Sequence, residues 1–282
     1  MASCIANSTL ERTAILEAAT ALHMVGAGSG SPARLIALLC DERLGADELA
    51  GKIEAHPVLS ARVLKVANSA YYGRSRGVGS VRQALLILGL NAVRGIAAAA
   101  CIDQVMPRRT VTLADIAAIF RHSLATAIAC EMLATSSHPP LVPGAFIAGL
   151  VHNLGVVIQA SVDPTGMAAL MDARRSDPVI DIRALEAQHV QVRHEECAAV
   201  LFDAWQLPDA LIAAARYHHT PEAAPESHRA LVALVSTAAT VALAGGFTYS
   251  LEPRAPAVAG PVIQHIISEL RGRVEQLSQA LS

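Results

Sequence analysis

Five histidines and one amide are the residues whose chemistry stands out. His122, His152, His194, His218 and His219 lie in apolar, helix-forming surroundings, with 30, 42 and 24 residues between the successive positions 122, 152, 194 and 218. Imidazole suits zinc, iron, copper and nickel, and it moves protons near neutral pH. A single histidine on an apolar face is usually a hydrogen-bonded core residue. Five of them, spread over separate helices, can converge inside a bundle. In GLVHNLG (149–155) the histidine precedes Asn153, where an aspartate would complete a His-Asp pair able to ligate divalent ions. An amide lends a carbonyl oxygen but no charge.

That missing charge has an energetic consequence. Two divalent cations about 4 Å apart repel by about 16 kcal/mol at an effective dielectric of about 20. Bridging carboxylates normally offset this, and neutral imidazoles do not. The set therefore argues against a dinuclear centre, whereas a single Zn, Fe or Ni ion on three or four imidazoles is compatible with it. Glu195 and Glu196 are the nearest carboxylates in sequence, and a helix lets only one of them face the site. The competing reading is that the histidines only pack and hydrogen-bond; beyond one such ion, no cofactor is expected. No H-E-x-x-H, Walker or kinase pattern is present.

The elements that must hold these residues are helices. Of 282 residues 53% are hydrophobic and only 3% aromatic, the apolar ones mainly Ala, Leu, Val and Ile, and no alternating β-branched run suggests a sheet. An all-α fold follows, with helices expected near 32–43, 46–54, 56–70, 81–88 and 92–105. In HPVLSARVLKVANSA, Leu59, Val63, Val66 and Ala70 form one apolar stripe. Ser8 with Glu11, and Ser80 with Gln83, read as capping boxes, Gly89 as a stop and Asn91 as the next cap. MPRRTVT (106–112) reads as a linker, dividing the chain into helical blocks at 1–110 and 111–282. The second block runs through the histidines to helices near 230–246 and 261–281.

The net charge of −2 and pI near 6.6 argue against a dominant nucleic-acid or anionic-membrane role. Five scattered cysteines without a C-x-x-C pair indicate neither a disulfide framework nor a zinc knuckle, and fit a reducing cytoplasm. The N-terminus lacks a secretory pattern. Residues 230–251 carry no charge, but their Ala, Ser, Thr and Gly content favours a buried helix over a membrane span. The pair at 81–104 has a helix-turn-helix outline, with too few polar groups on its second helix to read base edges.

Several motifs in fixed order carry a family resemblance. HPVLSARVLKVANSAYYG, VRQALLILGLNAVR, AFIAGLVHNLG, HEECAAVLFDAWQLP and the pair His218-His219 resemble, over about residues 15–245, the HDOD branch of the HD phosphohydrolase superfamily. The resemblance implies an N-terminal helical bundle followed by an HD-like bundle, and a role in bacterial signal transduction through protein contacts, without catalysis. It also implies His122, His152, His194, His218 and His219 as the metal-ligand positions, with Asn153 a degenerate dyad. His56 stands where the family shows aspartate before proline. Thr237 or Thr240 stands near the late metal-binding aspartate of catalytic relatives. A metal-dependent phosphodiesterase is the alternative.

Between Glu54 and Asp103 there is no acidic residue, while Arg62, Lys65, Arg74, Arg76, Arg82 and Arg94 add six positive charges. Arg62, Lys65, Asn68, Tyr71, Tyr72, Arg74 and Arg76 form a candidate face for a signalling protein, a nucleotide or a second messenger. Solvation, or pairing with Asp41, Glu42, Asp47 or Glu48, is the simpler reading; Asn68 reads as a turn residue rather than a ligand.

Overall fold

The computed structural model describes residues 12–18, 32–41, 43–68, 77–105, 113–137, 142–177, 179–249, 251–252 and 257–281. The described residues are overwhelmingly helical and contain no strand, only an isolated bridge between Tyr249 and Glu252. The first block holds α1 (12–18), α2 (Pro32–Leu39), α3 (Ala46–Glu54), α4 (Pro57–Ala67), α5 (Val81–Leu88) and α6 (Leu90–Val105). The second holds α7 (Leu113–Ser137), α8 (Val142–Val151), α9 (Leu154–Val162), α10 (Pro164–Ser176), α11 (Ile182–His189), α12 (His194–Ala204), α13 (Asp209–Tyr217), α14 (Glu226–Ala244) and α15 (Pro261–Leu281).

Local signals set most of these boundaries. Leu59, Val63 and Val66 are buried, as the stripe on α4 requires. Pro57 opens α4, and His56 precedes it without a side-chain cap bond. Ser80 Oγ accepts the Gln83 N–H, while Gln83 turns to the Gly79 N–H, so only half of the expected capping box forms. Gly89 ends α5 at φ +85°, a conformation that favours glycine. Leu90 already begins α6, so Asn91 lies inside the first turn instead of capping it. Residues 93–101 of α6 are buried, so that stretch packs inside the bundle. Ser8, Glu11, Ala70 and the linker 106–112 lie outside the described residues.

One apolar core runs through both blocks. Helix α6 packs on α8, and α15 packs on α4 as well as on α7 and α14. Among the described residues three stretches, Ala117–Ser136, Gly144–Val162 and Glu226–Ala244, are long and apolar enough to cross a bilayer by length and composition. The first two are mostly buried within the bundle; α14 buries one stripe, from Leu231 to Ala242.

The second block is built around close helix approaches. Helices α7 and α8 meet where a side chain on Gly149 would strike the Ala127 backbone and Cys130. The chain breaks at His152 and Asn153 and restarts as α9, where a Cβ on Gly155 would strike the His194 carbonyl. The two glycines of GLVHNLG thus allow two further helices to close on the His-Asn pair between them.

Candidate functional site

The structure gathers all five histidines. Their rings form a row: His122 to His152 at 5.5 Å between centroids, His152 to His218 at 5.0 Å, and His218 to His194 at 5.2 Å. His219 sits beside the last two, 4.3 Å from His218 and 5.1 Å from His194. His122, His152, His194 and His218 are buried, and His219 lies exposed at the rim.

Hydrogen bonds fix the tautomers of the four buried rings. Nδ1 of His122 donates to the Phe247 carbonyl (2.9 Å), that of His152 to Gly149 (2.7 Å) and that of His218 to Ala215 (2.9 Å). A carbonyl can only accept, so each of these Nδ1 atoms carries the hydrogen and Nε2 is left as a bare lone pair. His194 Nδ1 is held at 2.8 Å by the Glu186 carboxylate. Orientation by a backbone carbonyl or carboxylate behind the ring is how proteins prepare imidazole to ligate metal. The Nε2 atoms of His194 and His218 stand 3.2 Å apart, so a proton or a cation must lie between them. The donor set thus fits a single imidazole-bound ion.

Charges sit unevenly along the row. Burial pushes the pKa of His122 down to about 4. His152 and His218 fall well below the ordinary range, again mainly from burial, with His122 and His219 respectively adding repulsion. Burial also opposes protonation of His194, but the charges of Glu186, Glu195 and Glu252 overcome it and its pKa rises.

Glu186 is the residue that sequence reasoning missed. It is fully buried, and its Oε1 accepts from Gln159 Nε2 (3.0 Å), the His194 backbone N–H (3.1 Å) and His194 Nδ1 (2.8 Å). A signal for it existed: in IRALEAQH a carboxylate occupies the apolar face shared by Ile182 and Leu185. Of the two expected glutamates one does face inward. Glu195 is buried, 3.9 Å from His194 Nδ1 and paired with Arg183, while Glu196 turns outward to Arg12 at 2.7 Å. The cluster is therefore less purely neutral than its histidines and Asn153 implied.

At the other end the Asn153 amide donates to the Tyr249 hydroxyl at 2.9 Å, and the Tyr249 ring lies 5.0 Å from His122. Burial and the nearby Glu252 charge push the phenol pKa well up, keeping it neutral. Thr237 and Thr240, near the expected late acid, bond back to carbonyls of their own helix. A turn after α14, which carries Phe247 and Tyr249, closes this side instead.

The basic face is only partly described. Tyr71, Tyr72, Arg74 and Arg76 lie outside the described residues. Asn68 is a turn clasp: its side chain bonds the Leu64 and Val78 carbonyls and the Val78 N–H. Arg82 pairs with Asp47 at 3.1 Å, and Arg94 is buried on the Leu39 and Leu44 carbonyls. Arg62 is half-buried and Lys65 exposed. Cys101, Cys130 and Cys197 are core thiols whose pKa burial pushes up, that of Cys101 to about 12.

A helical bundle that lines up histidines from α7, the α8–α9 break, α12 and the end of α13 has the architecture of an HD-type domain. Residues 30–221 match the HDOD domain. The chain belongs to that family. A Treponema pallidum protein of uncharacterised function is 25% identical over 192 residues, 68% of this chain but 37% of its own length, so this chain matches little more than a third of that relative. An HDOD domain protein from Geobacter sulfurreducens superposes with a TM-score of 0.68 at 21% identity, covering 88% of this chain and 89% of its own. A candidate phosphohydrolase from Shewanella amazonensis gives 0.72 at 21% identity over 95% and 98% of the two chains. A candidate signal transduction protein from Marinobacter aquaeolei gives 0.70 at 23%, over 89% and 58%. These likenesses establish the fold.

Proposed function

We propose that this chain is a regulatory signalling module of the HDOD type that acts through contacts with other proteins and hydrolyses nothing itself. The observation that carries this reading is the state of the dyad: the residue after His152 is an amide, and it is held by the Tyr249 hydroxyl. No carboxylate is hydrogen-bonded to His122, His152 or His218 among the described residues. The buried acids Glu186 and Glu195 crowd around His194 alone. With the buried carboxylates confined to His194 and an amide at the dyad position, paired-metal attack on a phosphodiester lacks its bridging acid. The likeness to a protein named for signal transduction points the same way.

The test is turnover. Protein supplied with Zn, Fe, Ni, Mn or Mg should cleave generic phosphodiesters and cyclic dinucleotides no faster than its His152→Ala variant. Metal-dependent cleavage abolished by that substitution would establish the phosphodiesterase alternative instead.

A second reading concerns metal without turnover, and the anchored tautomers favour it. Rings held from behind through Nδ1 present Nε2 for ligation. One transition-metal ion retained there would be structural or sensory and would let the bundle repack on ligand binding or loss.

A further inference from the structure

In α1 the residues Arg12, Ile15 and Leu16 are spaced by three and four, which puts them on one side of a helix. Ile15 and Leu16 are half-buried against the core, whereas Thr13, Ala14 and Glu17 are exposed. We propose that the surface under α1, built from the starts of α10 and α12 and the ends of α11 and α13, docks an amphipathic helix of a partner protein, and that α1 is its intramolecular occupant. This rests on the reading that the chain acts through protein contacts, and it names the surface.

Loose packing is the first argument. A cleft of about 530 Å³ is lined by Ala14 and Ile15 of α1 on one side and by Val162, Ala169 and Val190 on the other. A second, of about 600 Å³, lies between Arg12 and Leu16 and the side chains of Val200 and Tyr217. Core helices interdigitate at crystal-like density, with few voids larger than a water molecule. Helix α1 instead rests on this surface without filling it.

The second argument is what α1 leaves behind. Arg12 pairs with Glu196 at 2.7 Å, both side chains partly exposed, an arrangement that contributes little and weakens with salt. Without Arg12, Glu196 keeps the Arg193 backbone N–H at 3.3 Å and the Arg193 guanidinium at 3.7 Å. Neighbouring Glu195 keeps Arg183 at 3.3 Å. Release of α1 thus strands neither glutamate, and it uncovers aliphatic side chains bordered by an acid.

Sequence marks the cover as separate from what it covers. Residues 12–18 precede the family match, which begins at residue 30, while the surface from Val162 to Tyr217 lies within it. Grooves that bind helices read anchors at i, i+3 and i+4. The partner helix then carries Arg or Lys one turn before two adjacent aliphatic residues, as α1 does, its cation meeting Glu196.

The probe is a fluorescent synthetic peptide of residues 5–22, followed by anisotropy. In the wild type the tethered α1 competes at high effective concentration, so the full chain carrying Ile15→Asp and Leu16→Asp should bind the peptide about tenfold more tightly, or better. A peptide with Arg12→Glu should bind about two- to fivefold more weakly, and one with Ile15→Asp and Leu16→Asp not at all. Thermal melts check that the double variant folds; should it not, the full chain with Arg12→Glu, altered only at an exposed side chain, replaces it and should still outbind the wild type. Equal binding by wild-type and opened chains, or none by either, would overturn the docking surface, whereas phosphodiester turnover, which tests the signalling reading, would stand unaffected. Light scattering supplies the last arm: a wild-type dimer that dissociates on Leu16→Asp would put a second copy's α1 on the surface and overturn the intramolecular cover.

Discussion

At the residue scale the buried imidazoles set the response to acid. His122, His152 and His218 are neutral in the fold, with pKa values below the unfolded value of 6.5, whereas His194 is raised. As pH falls below about 6.5 the unfolded chain takes up protons that the first three cannot accept when folded, so stability is lost as pH falls. For His122 alone, whose folded pKa is about 4, the loss amounts to about 3 kcal/mol by pH 4. His194 acts oppositely, contributing stability below 6.5 that fades as pH rises through its folded value, but it is one ring against four, because His219 is also pushed down, to about 3. Metal-free protein should therefore show a markedly lower urea midpoint at pH 4.5 than at pH 7. An unchanged midpoint would mean that these rings are not held neutral.

At the element scale two positions carry sharp expectations. Gly155 lets the start of α9 touch the His194 carbonyl, leaving no room for a methyl group. Gly155→Ala should cost about 3 kcal/mol or more, because backbone must move, and should also weaken metal uptake by displacing His194. Paired melts and cobalt titrations check both. His56 occupies the N-cap of α4 without a capping bond. His56→Asp supplies an acceptor for the first-turn N–H groups of Val58 and Leu59, just after Pro57, and should stabilise the protein by about 1 kcal/mol, visible as a raised melting temperature. An unchanged melt would show that the His56 ring contributes something a cap cannot replace.

At the scale of the whole molecule the question is whether two blocks behave as one. Ile266, Leu270 and Val274 of α15 are buried, and that helix lies against α4, α7 and α14. Because the core is continuous across it, Leu270→Ala should cost about 2–5 kcal/mol and lower a single calorimetric transition. Two resolved transitions, only one of them shifted, would mean that the blocks unfold separately.

Composition and periodicity determined the all-helical class, the stripe on α4 and the helices that carry the histidines, because helix propensity and the 3.6-residue period are local properties. The order of the motifs determined the family. Local sequence did not decide what stands behind His122 and His194. Glu186 reaches His194 from another helix and Tyr249 reaches Asn153 across 96 residues, and both look ordinary until packing brings them in. The His152 and His218 tautomers are set locally, by carbonyls three residues back, but the His122 tautomer, the lopsided charge and the closure of one end arise from contacts between separate elements, so only the tertiary structure could set them.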